Sequence, residues 1–153
     1  MIETWIDALA KIWMFDDGQG KLVKSYRLFD KSDRIPESIT EFPCAISYPT
    51  GLQPQYGASI PTILIWDGAT EFHLAGDVQL NNIPYALPFF RKILSAAAGN
   101  IKLAGTVSEF SIPFEPGALS LVEFEYGAGP SHRGILVHWR VKEDVSGQIT
   151  ISA

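Results

Sequence analysis

A single cysteine, Cys44, occurs among 153 residues. That excludes an internal disulfide and a cysteine-built zinc cluster, and it suits a reducing compartment. Histidine is nearly as scarce, present only as His73, His132 and His138. Basic residues number 12 against 17 acidic ones, a net charge of −5. The nearest approach to a basic cluster is Lys21, Lys24 and Arg27, whereas binding to phosphate backbones needs concentrated Lys and Arg. Nucleic acid is therefore not an expected partner. No apolar run has the length to cross a bilayer, and the first ten residues carry Glu3 and Asp7 where a secretory signal needs a basic start, so no membrane role is expected. Gly18-Gln19-Gly20 and Gly127-Ala128-Gly129 lack the lysine and further glycines of a phosphate loop, and no serine lies in a G-x-S-x-G elbow.

What the chain does have is the substance of one folded domain. Apolar residues make up 46% and charged residues 19%, values of a globular chain that buries roughly two-thirds of its unfolded surface. We take residues 1–153 as a single domain. The clearest pattern runs from Leu119 to Lys142. Val122, Phe124 and Tyr126 alternate with Glu123 and Glu125, and beyond a Gly-Ala-Gly-Pro turn Ile135, Val137, Trp139 and Val141 alternate with Leu136, His138, Arg140 and Lys142. Alternate residues of a strand point to opposite faces, which predicts a hairpin with one apolar face and one polar face of Glu123, Glu125, His138 and Arg140.

Ile2, Trp5, Ile6, Leu9 and Ile12 keep the spacing of one helix face and predict a helix over about residues 2–14. A turn follows at Asp16–Gly20, then a strand over Lys21–Phe29 and an irregular segment over Asp30–Glu41. Cys44–Tyr48 reads as a short strand closed by Pro43 and Pro49. The stretch Pro49–Pro61, with three prolines, reads as a long loop, and Asp67-Gly68 between Thr62–Trp66 and Thr70–Leu74 is a hairpin-turn signal. Asn81 or Asn82 is the expected cap of a second helix that buries Ile83, Leu87, Phe90, Ile93, Leu94 and Ala97 and ends at Gly99. Val107–Phe114 and Gln148–Ser152 complete the expected strands. The pattern predicts an α+β fold, a mostly antiparallel β-sheet with two helices packed on one face. Its expected core holds Trp5, Leu9, Leu87, Phe90, Leu94, Val122, Phe124, Val137 and Trp139.

Chemistry is thin in this inventory. Glu71 and His73 share a strand face, and with His138 and a hairpin glutamate they are the only donors that could approach a metal. An ordinary solvated sheet surface explains them as well, and on that reading alanine at His73 is silent. Cys44 lies in an apolar strand, where a free thiol behaves as a small hydrophobe. Neither a catalytic function nor a cofactor is expected.

The first helix, the Phe42-Pro43-Cys44-Ala45-Ile46 strand, the Thr70-Glu71-Phe72-His73-Leu74 strand, the second helix and the Tyr126…Gly134…Arg140-Val141-Lys142-Glu143 hairpin come in an order that resembles the tail terminator and tail-completion proteins of tailed phages and prophages. The Lys21–Phe29 strand and the length of the Gly127–Gly134 turn depart from that pattern. The resemblance implies a structural virion subunit, assembled in the host cytoplasm, that forms a homo-oligomeric ring and contacts the tail tube or head connector. Its candidate contacts are Gln53, Gln55 and Tyr56 in the long loop and Glu123, Glu125, His138 and Arg140 on the hairpin. The alternative is a small-molecule or carbohydrate-binding module without catalysis, with Trp66, Tyr56 or Trp139 as a stacking platform.

Overall fold

A computed structural model describes residues 2–14, 25–28, 44–75, 83–113, 115–124 and 132–146. The expected turn at 16–20, the segment 30–41, the Asn81/Asn82 cap, Glu125, the glycine-rich connection ahead of His132 and the strand at 148–152 lie outside these residues.

The sheet is built outward from a strand that uses both its edges. This strand, Pro61–Ala75, pairs antiparallel with Cys44–Tyr56 on one side and with His132–Asp144 on the other. Ser25–Leu28 adds a parallel neighbour beyond Cys44–Ser47. On the far side of His132–Asp144, the short strand Glu109–Ser111 pairs with Arg140–Lys142, and Leu119–Phe124 pairs with His132–Val137. In chain order these are β1 (Ser25–Leu28), β2 (Cys44–Tyr56), β3 (Pro61–Ala75), β4 (Glu109–Ser111), β5 (Leu119–Phe124) and β6 (His132–Asp144), ordered β1-β2-β3-β6-β4 with β5 also on β6. Two helices, α1 (Ile2–Ile12) and α2 (Ile83–Ala98), pack on one face, giving the expected α+β fold.

Strand alternation sorts the core. Ala45, Phe72, Ile135, Val137, Trp139 and Val141 face the helices, where Trp5, Leu9 and Trp13 of the α1 segment meet them fully buried. The Trp5 ring lies 5.8 Å from Trp66 and 5.8 Å from Trp139, and Trp13 sets its edge on Phe72 at 5.0 Å. The Trp139 indole N–H donates to Thr70 Oγ1 at 3.1 Å, which in turn lies 2.9 Å from Ser47 Oγ. On the outer side of α1, Lys11 pairs with Asp7 at 2.8 Å.

Four expectations are corrected. Asp67-Gly68 is not a turn, because β3 runs straight through it. Gly68 stands opposite Trp139, and a β-carbon there would collide with the indole ring, so the glycine makes room for packing instead of bending the chain. The long loop is not a loop either. β2 continues through Pro49 and Pro54 to Tyr56, with register shifts at Pro49/Gly51 and Gln55/Tyr56. Proline is tolerated there because this part of β2 is an edge, as β1 covers only Cys44–Ser47.

The third correction concerns α2. It buries Ile93, Ala96 and Ala97, with Phe89 and Phe90 partly covered, while Leu87 and Leu94 are exposed. Its sequence is apolar nearly all round, so spacing alone does not select the inward face, and the small alanines let the helix approach there. Gly99 N–H reaches Ser95 O at 3.1 Å and the Asn100 side chain reaches Ala96 O at 2.7 Å, closing the helix where Gly99 predicts. The fourth is the register of β5. Leu119 opposes Val137 and Leu121 opposes Ile135, so Leu119 and Leu121 face the helices. Val122 and Phe124 turn to the other face, and Phe124 and Val137 lie on opposite sides of the sheet. A strand with apolar residues at both parities can slip by one, and both sides of this one find cover.

Candidate functional site

The face away from the helices carries two different surfaces. At one end β3 presents Glu71 and His73 side by side, as their alternation predicts, and β2 sets Cys44 opposite His73 and Ile46 opposite Glu71. These residues are not solvated. His73 and Cys44 have no exposed surface, and Glu71 retains only 5%. His73 Nε2 lies 3.4 Å from Glu71 Oε1, and Phe124 stacks on the imidazole with 4.4 Å between ring centroids. The Tyr48 hydroxyl donates to the Glu71 carboxylate. This corrects the reading of His73 as a residue of an open sheet surface. Its burial comes from the slip in β5, which brings Phe124 over it.

The row Tyr48–Glu71–His73 is thus a chain of polar groups wrapped in apolar ones. Burial, followed by the Glu71 charge and hydrogen bond, pushes the Tyr48 hydroxyl well above the usual phenol range. The folded state therefore holds this proton more tightly than the unfolded chain. That stabilisation is complete below about pH 10, where a free tyrosine begins to ionise, and is lost as pH rises through the folded value. Thermal melts of wild type and Tyr48→Phe across the alkaline range should show the wild type losing stability more steeply. Parallel curves would contradict the assignment.

Among the described residues no three His, Cys, Asp or Glu side chains are grouped to hold a metal ion. His138 stands opposite Ala69, away from the His73 end of β3, and is exposed. Cys44, as the sequence predicts, is a buried thiol of an apolar strand.

The other end of the same face is open. Asp67 and Arg140 are cross-strand partners, 2.9 Å apart and each a little under half exposed. The sequence expectation set Arg140 on one polar face with Glu123, Glu125 and His138. In the fold, Glu123 is in register with Arg133 on the parity of Leu119 and Leu121, so it does not join His138 and Arg140. The expected polar face is divided by the one-residue slip. Asp67 went unnoticed because its Asp-Gly step reads as a turn.

Beyond this pair, β2 and β3 carry an arm in which residues 51–56 are exposed without interruption. Gln53, Gln55 and Tyr56 are exposed along this strand, with Gln53 and Gln55 opposite Ile65 and Ile63, and Leu52 opposite Trp66 on the alternate parity. Tyr56 is 66% exposed and Leu52 48%. The sequence from Pro49 to Trp66 contains no charged residue. Along residues 48–56 the outer edge of β2 meets no further strand among the described residues. Of the three aromatics considered for a stacking platform, two belong to the Trp5 cluster and one is exposed. Trp139 is buried, Trp66 packs on Trp5 and donates its N–H to Glu143 at 3.4 Å, and Tyr56 is exposed on the arm.

No protein-family model matches this chain, and no curated protein matches it.

Proposed function

We propose that the chain is a structural subunit of a phage tail, of the terminator or tail-completion type. It works by associating with copies of itself in a ring and by contacting the tail tube or head connector, as a component of the virion and without turnover of a substrate. The observation that carries this reading is the arm. An open strand edge is ordinarily defended by charges or by cover, since it templates pairing with other chains. This one is uncharged over Pro49–Trp66 and presents Leu52 and Tyr56 to solvent. Prolines 49 and 54 limit indiscriminate strand addition, while the apolar side chains remain available to a specific partner. The order of helices and strands that suggests the family supports the same reading. No cofactor, nucleic acid or membrane enters it.

Light scattering tests it. The wild type should form a discrete oligomer, alone or on addition of cognate tail tubes, and Leu52→Asp should shift it toward monomer. Because Leu52 is half exposed on an edge strand, the same substitution should alter folding stability by only about 0.5 kcal/mol. A wild-type chain that stays monomeric and ignores the tubes would remove the proposal.

A further inference from the structure

The side of α2 away from the sheet has a spacing of its own. Ile93, Ala96 and Ala97 are buried, whereas Leu87, Arg91, Leu94 and Ala98 are exposed. The exposed four recur at steps of four, three and four residues, and at about 100° per residue they fall within an arc of about 60°. That is the seam by which one helix packs lengthwise on another. Ile101, the next position of the series, is exposed just past the helix end. Three of the five exposed large hydrophobics among the described residues, Leu87, Leu94 and Ile101, thus belong to one stripe. Glu115 lies beside Leu94, in a groove between α2 and the segment that links β4 to β5. Arg91 and Glu115 are both exposed, and neither makes an ion pair with another described residue.

We infer that α2 of one copy packs antiparallel on α2 of a second copy, about a two-fold axis at Leu94. The inference does not depend on the ring reading. A two-fold contact closes on itself and cannot propagate, so it gives a dimer of subunits or joins two rings face to face. The occupant is a second copy because the stripe carries its own complement. With Leu94 on the axis, Leu87 of one copy stands opposite Ile101 of the other, apolar on apolar. Arg91 stands opposite Ala98, the longest side chain over the smallest. A parallel pairing would set the two Arg91 guanidinium groups against each other, so like-charge repulsion selects the antiparallel one. Charge points the same way. Each copy brings one cation and one anion without a described ion-pair partner to the same apolar stripe, Arg91 on α2 and Glu115 beside Leu94. Two copies exchange these charges twice over, which a partner of a single sign cannot do. Neither charge is then desolvated without an answer when the leucines are covered.

Sedimentation velocity of the full chain tests this, each variant being checked first for unchanged thermal melting. The smaller species left by Leu52→Asp should be the two-fold dimer, and adding Leu94→Asp should split it into monomers. In the same Leu52→Asp background, Arg91→Glu should weaken dimerisation by about tenfold, and Arg91→Glu together with Glu115→Arg should recover most of that loss. Oxidised Leu94→Cys should cross-link to its own copy, while Arg91→Cys should cross-link to Ala98→Cys more than to itself. If Leu52→Asp gives monomers outright and the wild type still forms a larger oligomer, the two-fold contact is wrong and the ring reading stands. A wild type that is only a dimer, split by Leu94→Asp and indifferent to tail tubes, keeps the contact and removes the ring. A dimer that does not respond to Leu94→Asp, or a charge exchange that recovers nothing, overturns the contact.

Discussion

Trp139→Ala should lower stability by about 3–5 kcal/mol, the range for removing a buried aromatic whose cavity cannot collapse. Trp139 is 1% exposed and sits at the centre of the helix-facing side of β6. Its ring is met edge-on by Trp5 at 5.8 Å and lies 6.4 Å from Phe110, while its N–H is held by Thr70. These neighbours come from α1, β3 and β4, so no single element can move in to fill the space. The vacancy also borders Gly68, whose missing side chain exists for this ring. Gly68→Val alone should be destabilising through overlap, by about 1–3 kcal/mol or more. In Trp139→Ala, however, the added methyl groups enter an empty space. The double variant should therefore lose clearly less than the sum of the two single losses, a coupling readable from urea denaturation. A Trp139→Ala loss under about 1 kcal/mol would mean that the core is not closed around this residue.

His73→Ala should cost about 2–4 kcal/mol, against the silent outcome expected of a histidine on an open sheet. The imidazole is fully buried, stacked on Phe124 and within 3.4 Å of Glu71. Truncation leaves a cavity between β2, β3 and β5 and removes a polar neighbour from a buried carboxylate. His73→Phe separates the two causes. It restores most of the volume and the stacking but not the polar contact, so the stability it recovers over alanine measures packing. Urea melts of the three proteins decide the matter, and an alanine variant as stable as wild type would restore the solvated-surface reading.

Both outcomes depend on contacts that local sequence does not display. The inward stripe of α1 was legible because Trp5 and Leu9 alternate with Asp7 and Lys11, leaving one apolar side. β6 was legible for the same reason, with Ile135, Val137, Trp139 and Val141 buried as their alternation requires. α2 and β5 were not, since apolar residues occupy more than one of their faces and the choice falls to whatever packs against them. Asp67-Gly68 carries a strong turn signal that is overridden by a tryptophan far along the chain, the Thr70–Trp139 contact spanning 69 residues. Pro49 and Pro54 announce a break, yet on an edge strand their missing N–H groups disturb no ladder beyond. At the candidate site, Gln53, Gln55 and Tyr56 were kept together in the fold by their adjacency on one exposed strand. The hairpin set of Glu123, His138 and Arg140 was not, because its unity depended on the register of β5.

The two edges of β3 are filled by partners of very different sequence distance. β2 lies just before it and can pair as soon as the chain turns back, whereas β6 is made only after α2, β4 and β5. Until residues 132–144 have emerged from the ribosome, β3 keeps one unpaired edge, and Phe72 has neither Ile135 beside it nor a finished layer above. Such distant pairing is slow to form. The same interval leaves the nascent chain as an apolar hairpin recognisable to chaperones and proteases. A product truncated before β6 lacks the partner of the second edge of β3 and of both β4 and β5, so this last strand is the one on which closure of the sheet depends.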